Sequence, residues 1–217
     1  MKDTLLLFDL DGTLWDSAAS VAESWNIIFR REAPGLVPLT ADDIRGVMGM
    51  TMQEISRALY PKVQLDRRDE IFDQCCRYEV EYLHTHCGTL YPDFRSTLED
   101  LKAEGYELAV VSNCQLGYID AFLSSSGAAD LFLDYEEWER TGLTKGENIR
   151  LVMERNGYTR GIYVGDTKKD REAALQAGIP FIHAAYGFGE VENPDGVIRR
   201  LSDLPVMIKE LLQNKSL

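Results

Sequence analysis

Four apolar residues, Leu5 to Phe8, run straight into Asp9-Leu10-Asp11-Gly12-Thr13, so the span from Thr4 to Asp9 reads as a short buried strand that ends on two carboxylates. The period then changes. Ala18, Val21, Ala22, Trp25, Ile28 and Phe29 recur at helical spacing and predict an amphipathic helix, which Pro34-Gly35 and Pro38 break. A second helix starts at Thr40 to Asp43. Thr51 and Glu54 have the spacing of a capping box for a third, which Pro61 ends. Ile71, Phe72, Cys75, Tyr78 and Tyr82 stripe a fourth. Residues of roughly 15–88 therefore read as all-helical.

From Tyr91 onward, short apolar runs alternate with helical stretches. Helices are expected at Phe94 to Glu104, Tyr118 to Ser126, Glu147 to Asn156 and Asp170 to Ala177, each followed by a glycine at or just past its end. Strands are expected at Glu107 to Ser112, Leu131 to Asp134, Gly161 to Gly165 and Ile179 to Ala184. That alternation predicts a parallel sheet covered on both faces, with its site at the carboxyl ends of the strands. The helical block looks like an insert directly after the first strand. Its two crossings, near Leu14 to Ser17 and His84 to Tyr91, would form a hinge beside Asp9 and Asp11.

Composition narrows the partners. Lys plus Arg number 23 and Asp plus Glu 36, a net charge of −13 that repels nucleic acid and anionic membranes. No apolar run approaches the roughly 18 residues a membrane span needs. No targeting segment is visible, which makes the cytoplasm the expected compartment. Cys75, Cys76, Cys87 and Cys114 lack paired-ligand spacing and read as reduced thiols, and His84, His86 and Cys87 as surface rather than a metal site. An anionic substrate would need local positive charge to bind so acidic a chain.

The expected strand ends gather the chemistry. They carry Asp9 and Asp11, then Ser112-Asn113, then Asp166-Thr-Lys-Lys-Asp170, while Lys145 lies in a loop before a helix (GLTKGENI) and could reach the same crevice. Carboxylates at that density cannot all stay ionised without a cation, and hard oxygen donors with few histidines favour Mg²⁺.

DLDGT, VVSN, a lone lysine and GDTKKD, in that order and with a helical insert after the first, resemble the haloacid dehalogenase-like phosphatase superfamily over essentially the whole chain. The resemblance is nearest to members with a small helical cap, such as phosphoglycolate and sugar-phosphate phosphatases. It implies an α/β fold: a Rossmann-like three-layer α/β/α core with a parallel sheet (residues 1–14 and 89–217) and an all-helical cap inserted at residues 15–88. It implies Asp9 as nucleophile, forming an aspartyl-phosphate, and Asp11 as acid and then base. Mg²⁺ would be held by Asp9, Asp166 and the Asp11 carbonyl, with Asp170 orienting metal-bound water or Lys145. Ser112 and Asn113 would bind phosphate oxygens, and Lys145 would neutralise charge between Asp9 and the phosphate.

The chain also departs from relatives. Gly146 follows Lys145 where many carry proline, which is expected to loosen that loop. The superfamily's dehalogenases lack the second aspartate, so Asp11 argues against dehalogenation. The phosphoglucomutase branch usually has a hinge histidine, and Asp16-Ser17-Ala18-Ala19-Ser20 offers none. The expected function is Mg²⁺-dependent hydrolysis of a small phosphorylated metabolite, with a phosphomutase or phosphotransferase, or a non-catalytic phosphoacceptor, as alternatives. Arg45, Met48, Gly49 and Trp15 are candidate cap contacts, and the glycine-aromatic loop Tyr186 to Gly189 a candidate active-site border. The oligomeric state is not legible.

Overall fold

The computed structural model describes residues 3–50, 52–59 and 65–214. The expected capping threonine Thr51 and the helix-ending Pro61 lie outside them. The first strand, β1 (Thr4–Phe8), is buried on both faces. It is followed by a two-residue strand β2 (Trp15–Asp16) and the helices α1 (Ala18–Glu32), α2 (Ala41–Arg45), α3 (Met52–Leu59) and α4 (Leu65–Leu83). Strand β3 (Thr89–Leu90) pairs antiparallel with β2, Trp15 opposite Leu90 and Asp16 opposite Thr89. The two crossings between core and helical block therefore run side by side as a short ribbon. The apolar stripe of α1 buries Val21, Trp25, Ile28 and Phe29, with Trp25 edge-on to Phe72 of α4 at 5.2 Å between ring centroids.

The rest of the chain alternates: α5 (Phe94–Ala103), β4 (Glu107–Ser112), α6 (Tyr118–Ser126), β5 (Asp134–Glu137), α7 (Trp138–Thr141), α8 (Lys145–Arg155), β6 (Arg160–Gly165), α9 (Lys168–Ala177), β7 (Phe181–Ala184), β8 (Gly196–Ile198) and α10 (Leu204–Asn214). The six longer strands form one parallel sheet in the order β5-β4-β1-β6-β7-β8. The chain winds outward from β1 through β4 to β5, then crosses back to β6. The carboxyl ends of β1, β4 and β6 thus lie side by side where the winding reverses, the place at which such sheets open a crevice. Helices pack on both faces, giving the α/β/α layering expected from the alternation.

Some boundaries differ. The expected strand at Leu131 to Asp134 is instead β5 at Asp134–Glu137, because Leu131 turns inward in a tight turn with Ala128 and the pairing with β4 begins only at Asp134. That edge strand is polar. Arg155 neutralises it, bonding Asp134 and Glu136 at 2.6 Å each, so no apolar alternation marks it. Lys145 is not in a loop: it opens α8, whose capping box is Thr144 with Glu147. Gly146 therefore sits inside the first helical turn and does not loosen a loop. A Cβ there would come within 2.5 Å of the Gln176 side chain, so its absence lets α8 lie close against α9. The three-residue β8 and helix α10 carry no expectation from the sequence. The four cysteines are free thiols. Among the described residues no helix is long and apolar enough to cross a membrane.

Candidate active site

Asp9 follows β1 directly. Its backbone N–H bonds the Val164 carbonyl of β6, which extends the sheet register by one residue and directs the chain into the crevice. The next residues fold into a tight turn in which Leu14 N–H bonds the Leu10 carbonyl and Gly12 N–H bonds the Trp15 carbonyl. Gly12 takes φ +83°, and a Cβ on it would lie 2.1 Å from Asp166 Oδ2. Glycine is needed twice at this position, for backbone conformation and for close approach.

Lys145 reaches across 136 residues of sequence to donate to Asp9 Oδ1 at 2.8 Å and to Asp170 Oδ1 at 2.6 Å. An ammonium at a helix N-terminus opposes the helix dipole, and the two carboxylates outweigh it. Burial would lower the Lys145 pKa, but Asp170 and Asp9 together hold it well above the usual lysine value. Asp170 spends its other oxygen on the cap of α9, accepting from Thr167 N–H at 2.9 Å and Thr167 Oγ1 at 2.5 Å. It both caps its helix and positions Lys145.

Asp166 follows β6 directly and is fully buried. Its Oδ2 accepts from Phe188 N–H at 2.7 Å, while its Oδ1 has no partner among the described residues. The glycine-aromatic loop thus closes over Asp166, and Tyr186 pins it by donating to the Thr13 carbonyl at 2.8 Å. Oxygens of Asp9, Asp166 and Asp170 all fall within 4.8 Å of one another. Burial, then the neighbouring carboxylates, push Asp9 up to about 7 and Asp166 up to about 8; Lys145 pulls both the other way. Three buried acids with one lysine are undercompensated, and the orphaned Asp166 oxygen needs a partner. Those donors are all hard oxygens, so the cluster fits Mg²⁺. His86, by contrast, stacks on Tyr82 at 3.8 Å on the surface, and no ligand cluster forms around it among the described residues.

Asp11 is held separately. Ser17 Oγ donates to its Oδ1 at 2.5 Å and the Tyr118 hydroxyl donates to the same oxygen at 3.0 Å. Burial raises the Asp11 carboxyl to about 6, and those two hydroxyls restrain it. Ser112 ends β4 and Asn113 follows it; with Asp9, Asp11 and Lys145 they line one side of a cavity of ≈ 60 Å³. The helical block closes the other side with Trp25, Ile44, Met48, Gly49, Met50 and Glu79. Lys169 of α9 also pairs with Glu54 of α3 at 3.0 Å across that junction.

Two expected cap contacts are elsewhere. Trp15 is fully buried against Tyr118 and Phe122 and does not face the cavity, because its large ring completes the apolar core beneath the ribbon. Arg45 turns to Asp16 at 2.8 Å and Asp42 at 2.6 Å, pinning α2 to β2. Ser17, Tyr118, Glu79 and Gln115 were not foreseen. Ser17 could have been suspected from its place six residues after Asp11 and Gln115 from its place two residues after Asn113, whereas Tyr118 and Glu79 reach the site only through helix packing.

A parallel α/β sheet with a buried acid cluster and a lysine at its switch point, under a helical block, defines the class of protein. The sequence profile of the haloacid dehalogenase-like hydrolases matches residues 6–184, and the chain belongs to that family. It is 30% identical over 191 residues to a phosphoglycolate phosphatase of Rhodobacter capsulatus, covering 84% of each chain. It is also 30% identical over 210 residues to one of Aquifex aeolicus, covering 92% of this chain and 94% of that one. The crystal structure of a predicted phosphoglycolate phosphatase from Haemophilus somnus superposes with TM-score 0.83 at 24% identity, over 96% of this chain and 99% of that one. A β-phosphoglucomutase from Clostridium difficile shares the fold too, with TM-score 0.74 at 14% identity over the whole of both chains. The chain is an enzyme, a phosphatase of this family.

Proposed function

We propose that the enzyme is a Mg²⁺-dependent phosphatase of small phosphomonoesters that works through an aspartyl-phosphate on Asp9. The observation that carries this reading is the Asp9–Lys145 pair in the wall of the cavity, with the separately held Asp11 two residues on. Asp9 attacks phosphorus, and the bond from phosphorus to the leaving oxygen breaks. Asp11 protonates that oxygen, then takes a proton from the water that attacks the phospho-aspartate. Lys145 offsets charge shared by Asp9 and the phosphoryl oxygens, which the Ser112 hydroxyl and Asn113 amide bind. Asp9, Asp166 and the Asp11 carbonyl would hold Mg²⁺, which supplies charge stabilisation at the phosphoryl group. The helical insert of residues 15–88 acts as the cap that excludes bulk water and reads the leaving group.

The relatives' names make phosphoglycolate the reference compound, with sugar phosphates the second class to try. The missing hinge histidine favours hydrolysis over phosphoryl transfer to a sugar. The net charge of −13 and free thiols support a cytoplasmic setting without nucleic-acid or membrane partners. The test is phosphate release from a panel of small phosphomonoesters with Mg²⁺. Asp9→Asn, nearly isosteric but a poor nucleophile, is expected to release none while keeping its fold. Asp11→Asn is expected to lose ~10²–10⁴ in rate. Full activity of Asp9→Asn, or activity unaffected by chelation of Mg²⁺, would overturn the reading.

A further inference from the structure

The reaction leaves one acid unused. Glu79, in the middle of α4, is buried and lines the same cavity as Asp9, although it belongs to the helical block. Its Oε2 accepts the indole N–H of Trp25 on α1. Beside it, in the segment after Asn113, lies Gln115, also buried. The Gln115 amide stands close enough to favour the charged form of Glu79, but no well-formed hydrogen bond reaches its Nε2 among the described residues. The cavity wall therefore presents, side by side, a carboxyl acceptor and an amide donor that lacks a well-formed hydrogen bond among the described residues. The remaining surface on the helical side is Gly49 and the apolar side chains of Trp25, Ile44, Val47, Met48, Met50 and Ile55.

Charge is as informative. Lys145 is the one cation among the described lining residues, and Asp9 and Asp170 already hold it. Nothing described on the helical side offers a positive charge, since Arg45 is turned to Asp16 and Asp42. A substrate carboxylate placed there would satisfy Gln115 but face Glu79 in an apolar surround, where like charges cost most. An ammonium would satisfy Glu79 and leave Gln115 without an acceptor. A hydroxyl donates and accepts at once and satisfies both.

Resting on the phosphatase reading, we propose that Glu79 and Gln115 select a small phosphomonoester whose leaving group carries a hydroxyl, and reject one that carries a carboxylate such as phosphoglycolate. Burial pushes Glu79 up to about 7, with Trp25 and Gln115 pulling it down, so the ionised form that repels a carboxylate prevails above that pH, where the comparison of substrates is to be made, while a hydroxyl suits either form.

Four two-carbon phosphomonoesters that differ only at the far end test this: 2-hydroxyethyl phosphate, ethyl phosphate, phosphoethanolamine and phosphoglycolate. With Mg²⁺ and wild-type enzyme, kcat/KM for 2-hydroxyethyl phosphate is expected to exceed each of the others on the order of tenfold or more. Glu79→Gln is expected to narrow the gap between 2-hydroxyethyl phosphate and phosphoglycolate on the order of tenfold. A merely structural role for Glu79 would lower all four in proportion and leave that ratio fixed, which overturns the proposal. If Glu79→Gln does not fold, the wild-type ranking decides. Preference for phosphoglycolate overturns the carboxylate rejection, and preference for phosphoethanolamine overturns the hydroxyl assignment. No release from any of the four or from the wider panel, or release that survives Asp9→Asn, locates the failure in the phosphatase reading and takes this proposal with it.

Discussion

The Ser17 hydroxyl donates a 2.5 Å hydrogen bond to Asp11 Oδ1, joining the first residue past the core–cap ribbon to the acid that would serve the leaving group. That bond favours the charged carboxylate, against the burial that lifts Asp11 to about 6. Ser17→Ala removes it, so the Asp11 pKa rises. An acid must be protonated to donate, so the alkaline limb of the kcat profile should move to higher pH, by roughly one pH unit for the loss of a bond to a charged group. A pH–rate profile with a slow-leaving substrate checks this, and a limb that stays put or moves down would remove Asp11 from that role.

Mg²⁺ should stabilise the fold, and more at pH 8 than at pH 5. Asp9 and Asp166 are raised in the folded protein, from 3.8 to about 7 and about 8. The folded state then holds more protons than the unfolded state across that window. Their contribution to stability is fully present below about pH 4 and is lost as pH rises through 7 to 8. A cation takes the protons' place, so it competes with them at low pH and meets bare carboxylates at high pH. Thermal melts with and without Mg²⁺ at both pH values measure the difference. An equal increment at the two would mean that the acid cluster is not where the ion binds.

Lys145→Met should destabilise the protein by ~3–5 kcal/mol without metal, because it leaves the buried carboxylates of Asp9 and Asp170 facing each other without their cation. The loss should be smaller at pH 5, where protonation relieves the repulsion. Denaturant titrations at pH 5 and pH 8 give both values. A loss that is the same at both would point to packing rather than charge.

Gly12→Ala should abolish activity although it adds a single methyl group. The new Cβ falls 2.1 Å from Asp166 Oδ2, on a backbone at φ +83° that alanine adopts only with strain. Either the turn or Asp166 must move, and both hold the acid cluster. Phosphate release and Mg²⁺-dependent melting should fall together. Unchanged Mg²⁺ stabilisation would show that the turn is more forgiving than its geometry.

Much of this was legible along the chain, and what was not has a common cause. The buried strands β4 and β6 and helix α6 announce themselves because the core demands apolar residues at fixed periods. β5 does not, because an edge strand neutralised by Arg155 has no need of apolar alternation. Lys145 could be picked out as chemically apt, but its placement at a helix start depended on reading the Thr144–Glu147 cap. Arg45 looked like a ligand for substrate and is a pin to Asp16, since a sequence does not say toward which neighbour a long side chain turns.

The sequence by itself marked out the parts of the proposed reaction, because short-range constraints write them locally: two acids at a strand end, a glycine where the chain must turn, a polar pair where β4 ends, and capped helices beginning beside Lys145 and Asp166. The tertiary structure alone decided what the cavity faces. Glu79 and Gln115 are 36 residues apart and meet in its wall through the packing of α4 over the strand ends. No local pattern encodes a contact whose energy exists only once the two elements have come together and water has been excluded between them.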